Sequence, residues 1–456
     1  MAGRADAATK RSVVLPSWAD ELPSEWGWCR LADVCLDLVD CPHSTPELVE
    51  GGPYLMARTS DILTGVFRAD QARRVSEGTY RERTRRVEPK YGDLLYSREG
   101  TYFGLAAEIP AETKVCLGQR MVLLRPDAEQ VHPAYLRYWL NSSRIQSHIQ
   151  GYRDGSVAER LNLPTIRRLP VCTPSMREQR AIAHILGVLD DKIELNRQMH
   201  ETLEAIARTL FKSWFVDFDP VRAKSEGRDS GLPKPISDLF PDSFEESELG
   251  EIPKGWRIGT VNDIAETNAK TLSRRDGLDV IDYIEISEVM RGEIGTVVRY
   301  ERGAEPSRAR RCLRHGDSVL STVRPDRGAY FLCLNPPKAL IASTGFAVLS
   351  PRDGNWAFLY SALTRHEVGE ELGRLADGGA YPAVRPEAIG ALGFVILRGS
   401  QIVSAFQKLA GPLFERAQQN GAEVKSLAAL RDTLLPKLLS GELRVKDAER
   451  IVAGQV

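Results

Sequence analysis

The sequence lacks almost every pattern by which a chain handles a phosphate, a metal or an acyl group. It has no G-x-x-x-x-G-K-[ST] loop, no G-x-G-x-x-G opening a helix, no H-E-x-x-H and no G-x-S-x-G elbow. The seven histidines (His43, His132, His148, His184, His200, His315 and His366) are scattered, and none stands at catalytic spacing from an acid. Seven cysteines include no C-x-x-C pair, and Cys29, Cys35 and Cys41 have no histidine at ligand spacing, which excludes a zinc module and a disulfide framework. An odd number of cysteines is expected as buried thiols in a reducing compartment. No run approaches the roughly 18 apolar residues of a membrane span, and Met1 to Val14 carries basic residues with no apolar stretch behind them, unlike a secretory signal. The expectation is a cytoplasmic protein that does not touch the membrane. A formal net charge of −1 does not by itself advertise a nucleic-acid binder.

What the chain does have is a message written twice. Leu22-Pro23-Ser24-Glu25-Trp26 and Ile252-Pro253-Lys254-Gly255-Trp256 open two copies, with Pro, Trp and the later Asp33/Asp263 offset by 230. Gly92-Asp93 meets Gly316-Asp317 at 224, Leu124-Arg125-Pro126 meets Leu349-Ser350-Pro351 at 225, Asp154-Gly155 meets Asp377-Gly378 at 223, and Ile166 meets Ile389 at 223. Identity is low, so the ordered spacing carries the inference. The period is too long for a solenoid repeat and long enough for a domain with its own core.

Charge is distributed unevenly. Between Asp20 and Glu50 stand eight acids and one base, whereas between Arg73 and Lys90 stand seven bases and three acids. Arg83, Arg85 and Arg86 precede Gly92-Asp93 as Arg308, Arg310 and Arg311 precede Gly316-Asp317, at an offset of 225. A cluster held in place through divergence suggests a backbone-phosphate contact, although a solvated charge run reads similarly. Each Gly-Asp turn leads into a short run, Leu94-Leu95-Tyr96-Ser97 or Ser318-Val319-Leu320-Ser321, expected as a half-buried strand. The strands deliver arginine into glycine-containing loops, Arg98-Glu99-Gly100 and Arg324-Pro325-Asp326-Arg327-Gly328. An arginine there can fork a guanine edge or clamp a phosphate, or simply pair with Glu99 or Asp326. The loops Tyr152 to Ser156, with Arg153, and Asp377 to Tyr381 are further places for a partner to approach.

The strongest local signal is helical. Ser175 and Glu178 make a capping box after Pro174, so a helix starts near Met176 and its pattern runs to Phe215, short of Pro220. Leu189, Ile193, Asn196, His200, Leu203, Ala207, Leu210 and Trp214 step by four and three, and adding 224 gives Leu413, Ala417, Asn420, Val424, Leu427, Arg431, Leu434 and Leu438. Two such seams are expected to pair as a coiled coil, with the polar Asn setting register; His200 and Arg431 break the stripe. Gly441 is a natural stop for the second helix. Residues 219–250, rich in Pro, Ser, Gly and Glu, read as a linker. The expected order is an N-terminal tail (1–19), a first globular domain (20–174), a helix (175–218), the linker (219–250), a second domain (251–398), a second helix (399–441) and a frayed tail (442–456).

These features resemble the specificity subunits of type I restriction-modification systems over nearly the whole chain. The resemblance lies in the P-x-x-W openings, the Gly-Asp strands, the E-Q-x-x-I start of the first helix (Glu178, Gln179, Ile182), its end at Leu210-Phe211-Lys212-Ser213-Trp214-Phe215, and the closing Leu434-Leu435-Pro436-Lys437-Leu438-Leu439-Ser440-Gly441. It implies an α/β (α+β) fold with two tandem target-recognition domains, separated by an antiparallel coiled coil that acts as a ruler between the halves of an interrupted double-stranded DNA target. It also implies two methyltransferase subunits carrying S-adenosylmethionine and two restriction/translocase subunits carrying ATP and Mg, with no cofactor and no catalysis in this chain. Arg98 and Arg324, on the loops after the Gly-Asp strands, are the candidates for base contacts, and Arg153 and Arg327 are further DNA-binding candidates. Arg83, Arg85, Arg86, Arg308, Arg310 and Arg311 are the candidates for phosphate contacts. The second copy departs from the pattern, with Ser400-Gln401-Ile402 where E-Q-x-x-I is expected. Two other readings stay open: a duplicated coiled-coil scaffold without sequence-specific DNA binding, and a divergent DNA methyltransferase or nuclease. Against the latter, Asn335-Pro336-Pro337-Lys338 has lysine where a flipped base needs an aromatic, and Pro325-Asp326 lacks a following acid-x-Lys.

Overall fold

The computed structural model describes residues 13–62, 65–100, 103–151, 160–248, 250–378, 382–396 and 400–454. The chain divides into two units, residues 1–195 with 423–456, and residues 196–422. The division falls inside both long helices, so each unit contains part of each.

In the first unit, strands Cys35–Asp40, Met121–Pro126, Leu94–Ser97 and Ala106–Glu108 lie side by side in an antiparallel sheet. A smaller sheet sets Arg73–Val75, Tyr54–Ala57 and Val115–Leu117 in order, the last pair parallel, and Gly27–Arg30 pairs with Pro170–Thr173. The second unit repeats this plan. Ala265–Thr267, Phe346–Pro351, Asp317–Ser321 and Tyr330–Cys333 form the first sheet, and Val298–Glu301, Val280–Ile284 and Leu340–Ser343 form the second, again with one parallel pair. Arg257–Thr260 pairs with Gly393–Ile396. Matching topology from weakly matching sequence establishes the duplication.

Among the described residues the copies diverge in the hairpin Val289–Met290/Glu293–Ile294 of the second and at the element after the outer strand of the smaller sheet. After Arg73–Val75 the first copy has a helix, Glu77–Arg83, whereas after Val298–Glu301 the second has an additional edge strand, Ala309–Cys312, on Leu340–Ser343. The two arginine clusters, aligned by offset, therefore sit on different kinds of backbone.

The strands after the Gly-Asp turns are not half-buried as expected. Leu94–Ser97 and Asp317–Ser321 are buried at every position, because each is the inner strand of its sheet and is covered on both faces. Leu94 and Tyr96 pack with Tyr135 and Trp139 in one core, while Leu95 packs with Ile62, Ala107 and Leu123 in another. Gly92 and Gly316 both have φ of 86°, the turn conformation expected of them.

The helices run over Met176–Phe215 and Gln401–Leu439, and Ser175 and Glu178 exchange the two hydrogen bonds of the capping box, at 3.1 and 3.3 Å. They pair antiparallel. In the first unit Leu189 and Ile193 share a core with Leu427, Leu434 and Leu438, Arg431 donates to Asp190 at 2.9 Å, and Lys192 approaches Glu423 at 3.7 Å. In the second, His200 Nδ1 contacts the Ala417 carbonyl at 2.7 Å, and Phe211 meets Phe406 with ring centroids 5.7 Å apart. Partner numbers fall as residue numbers rise. The two polar interruptions of the seam are thus satisfied, one by a carbonyl and one by a carboxylate. Asn196 and Asn420 are buried.

The stretch read as a linker is folded. Asp219–Ser225 is a helix with Pro220 in its first turn, Lys234–Ser237 is another, and Phe244–Ser247 pairs with Gly250–Pro253. Val221 and Phe240 are buried in the second unit's core, Phe240 edge-on to Trp214 at 5.1 Å. The prolines start helices here rather than loosen the chain. The tail read as frayed also folds: Val445–Ala453 is a helix whose Ala448 and Val452 join the first unit's core.

Candidate nucleic-acid interface

Strand pairing gathers one set of loops in each unit. In the first, Ser97 faces Met121 and Asp40 faces Val122. The loops around 41–45, 98–100 and 118–120 therefore emerge at one end of the four-stranded sheet. In the second, Ser321 faces Phe346, which brings the loops 322–329 and 344–345 to the corresponding end.

Arg98 is a strut rather than a probe. Its guanidinium is bound to Asp40, its side chain is 15% exposed, its N–H donates to the Arg120 carbonyl at 2.9 Å, and its carbonyl accepts from Leu161 N–H at 2.7 Å. Arg83 is likewise internal. At 7% exposure it donates to the carbonyls of Leu117, Ser44 and Pro42, at 2.7, 3.1 and 3.2 Å. These bonds tie helix Glu77–Arg83 to the chain around residue 44 and do not leave the guanidinium for a phosphate. Arg85 and Arg86, just beyond the helix, are exposed. Arg153 lies outside the described residues.

In the second unit Arg308 is exposed, and its carbonyl accepts from Thr344 N–H at 2.8 Å. Arg310 lies 3.8 Å from Glu305. Arg311 is half-buried in the edge strand, its Nε has no acceptor among the described residues, and burial pulls its pKa down. Arg327 is exposed. Arg324 has φ of 47° and precedes the turn Pro325–Arg327, with its N–H donating to Pro382 O at 2.8 Å.

Two arginines missed by the sequence reading stand beside these loops. Arg120 has φ of 68° and lies 3.3 Å from Glu99. Arg291 has φ of 45°, and its N–H donates to Gly328 O at 2.7 Å, which packs it on the Arg324–Gly328 loop. Of the seven non-glycine residues with positive φ among the described residues, three are these arginines. The left-handed region favours glycine and asparagine, and strained residues cluster where a side chain must be aimed. The available signal for Arg120 was its place in Gly118-Gln119-Arg120, a polar break between the apolar runs Val115–Leu117 and Met121–Leu124.

Chemically, each sheet end offers guanidinium groups on backbone-clamped loops, suited to the acceptors of base edges and phosphates. Among the described residues, no three His, Cys, Asp or Glu side chains converge as a metal site, and no helix is long and apolar enough to cross a membrane.

Residues 23–205 match the family described as the type I restriction modification DNA specificity domain. Along this stretch the chain carries the type I restriction-modification DNA specificity domain, and over most of its length it is similar to type I specificity subunits. The HindI specificity subunit of Haemophilus influenzae is 27% identical over 405 residues, 78% of this chain and 87% of that protein. The MjaIX specificity subunit of Methanocaldococcus jannaschii is 25% identical over 456 residues, 94% of this chain and 95% of that protein. The crystal structure of a type I restriction-modification system S subunit from M. genitalium shares the fold, with a TM-score of 0.56 at 16% identity over 92% of this chain and 98% of that one. The chain thus has two α/β repeats and an antiparallel pair of long helices, the fold shared with that S subunit.

Proposed function

We propose that this chain is a specificity subunit that reads a two-part, interrupted target on double-stranded DNA and directs the methylation and cleavage carried out by partner subunits. The observation that carries this is the duplicated sheet end, where each copy presents arginines on loops held at unusual backbone angles, Arg120 in one and Arg291 and Arg324 in the other. Two readers of one plan but different loops suit two half-sites of different sequence. Exposed Arg85, Arg86, Arg308 and Arg327 lie along phosphates in this reading, and Arg324 belongs to the base-reading loop. The chain itself is non-catalytic and binds no cofactor. Methyltransferase subunits bring S-adenosylmethionine, and restriction/translocase subunits bring ATP and Mg. The complex works in the cytoplasm.

The test is single-molecule sequencing of adenine methylation in cells that express this chain with its neighbouring methyltransferase, against cells with the methyltransferase alone. An interrupted two-part motif appearing only with both is the expected outcome. No new motif, with both proteins soluble and associated, overturns the reading in favour of a scaffold.

A further inference from the structure

Resting on the DNA-reading role just proposed, we infer that Arg120, on the turn between Val115–Leu117 and Met121–Pro126, is the base-reading arginine of the first unit and recognises a guanine. The turn is fixed on three sides by backbone. Gly118 N–H donates to Ala57 O at 2.8 Å, Cys41 N–H donates to Met121 O at 3.1 Å, and the Arg120 carbonyl holds Arg98 N–H at 2.9 Å. Gly118 allows this closeness, since a Cβ there would lie 2.5 Å from Ala57 O. Gln119 Nε2 adds a brace to Thr45 Oγ1 at 3.0 Å. A turn so clamped aims its side chain with little left to order on binding, which is what a specific contact needs.

The side chain itself is 54% exposed and stands at the rim of a cavity of about 210 Å³ lined by Cys41, His43, Arg98 and Glu99. Its partner Glu99, itself 22% exposed, stands 3.3 Å from the Nε of an Arg120 side chain that solvent reaches, and pairs open to solvent on one side hold weakly. Glu99 thus keeps the guanidinium at the sheet end while leaving it exchangeable for the O6 and N7 acceptors of guanine, which a guanidinium fork fits. Arg98, the more obvious choice from sequence, is committed to Asp40 beneath it. The strain argues the same way. Arg120 occupies φ of 68°, a backbone angle at which glycine is at ease and a long side chain is strained. The position of the second copy offset by 225, Gly345, has no such angle, and a Cβ there would lie 2.1 Å from Ile286 Cδ1. The second reads its half-site from a different loop.

Two variants of the full complex test this, Arg120→Ala and Arg120→Gly, each co-expressed with the methyltransferase and read by methylation sequencing. Glycine suits the backbone angle, so Arg120→Gly is expected to unfold at the wild-type temperature or above, which separates lost reading from lost folding. The wild type is expected to give an interrupted motif with a guanine in one half. In both variants discrimination at that one position drops by roughly 5- to 150-fold, the range of one good bidentate base contact, and the other half stays intact. An unchanged motif overturns the assignment. So does a uniform weakening of all sites with a shallower salt dependence, which marks a phosphate contact instead. A wild type that yields no two-part motif overturns the underlying reading, and with it this one.

Discussion

Arg125 grips both carboxylate oxygens of Asp93, at 2.9 and 2.7 Å, and so locks the Gly-Asp turn to the neighbouring strand. The second copy performs the same task without a cation: Ser350 Oγ donates to Asp317 at 2.6 Å. In both, the aspartate also accepts the backbone N–H three residues before it, Lys90 at 2.9 Å and Arg314 at 2.7 Å. The Gly-Asp signature is therefore a device of the fold, not of binding.

Asp93→Ala strands Arg125, which is then held only by Asp37 at 3.0 Å and the Glu88 carbonyl at 2.8 Å. Loss of hydrogen bonds to a charged group is expected to cost about 1.5–3 kcal/mol of first-unit stability, measured by denaturant unfolding of the full chain. A midpoint unchanged from wild type would sink this account of the turn.

Asp317 has no guanidinium in that place, and burial pushes its pKa up from 3.8. Because the folded state holds the proton more tightly than the unfolded one, the stabilisation is complete below 3.8 and disappears as pH rises through the raised folded value. Above that window the buried charge is a net cost. Asp317→Asn can accept from Arg314 and donate to Ser350, so the variant is expected to gain on the wild type as pH climbs through the window. A stability difference that stays flat with pH contradicts this.

The arginines near residue 85 separate by burial. Arg83→Ala should lower the melting temperature and, in complexes that still fold, leave the salt dependence of DNA binding alone. Arg85→Ala and Arg86→Ala should each spare stability and reduce the salt slope by roughly 0.9, the share of one phosphate. Binding titrations across a salt series, alongside thermal melts, distinguish the two classes.

Gln179 is buried, accepts His132 N–H at 2.9 Å and donates to Pro174 O at 3.0 Å. It thereby ties the long helix to the start of helix Pro133–Asn141. In the second copy Gln407 accepts Ala357 N–H at 2.8 Å at the start of Trp356–Leu363. The amide has moved one helical turn along the chain and kept its task, which is why the E-Q-x-x-I pattern is missing there. Gln179→Ala is expected to cost about 1–3 kcal/mol by leaving a buried donor unmet, and Gln407→Ala a similar amount; hydrogen exchange at His132 and Ala357 reads each loss locally.

Periodicity made the helices legible, down to the seam, because a helix repeats its buried face in a way the sequence must obey. The duplication was legible because turn residues such as Gly92 and Gly316 tolerate few substitutes. The loops were harder. Nothing in the sequence distinguishes Arg83, turned inward onto three carbonyls, from Arg85 two residues on, since the difference is made by Ser44 and Leu117 approaching from afar in the chain. Alignment of Arg83, Arg85 and Arg86 with Arg308, Arg310 and Arg311 joined a helix end to an edge strand. Prolines at 220 and 235 suggested looseness, and Val221 and Phe240 outweighed them.

Residues 196–422, a whole second unit, are threaded between the two segments that make up the first. A ribosome adding roughly 5–20 residues per second needs on the order of 10–45 s to make that insertion before Leu427, Leu434 and Leu438 can reach the core they share with Leu94 and Trp139. The reader that is synthesised first is thus the one completed last. A nonsense or frameshift mutation shortly after residue 422 would leave the second unit's own residues intact and deprive the first of part of its interior.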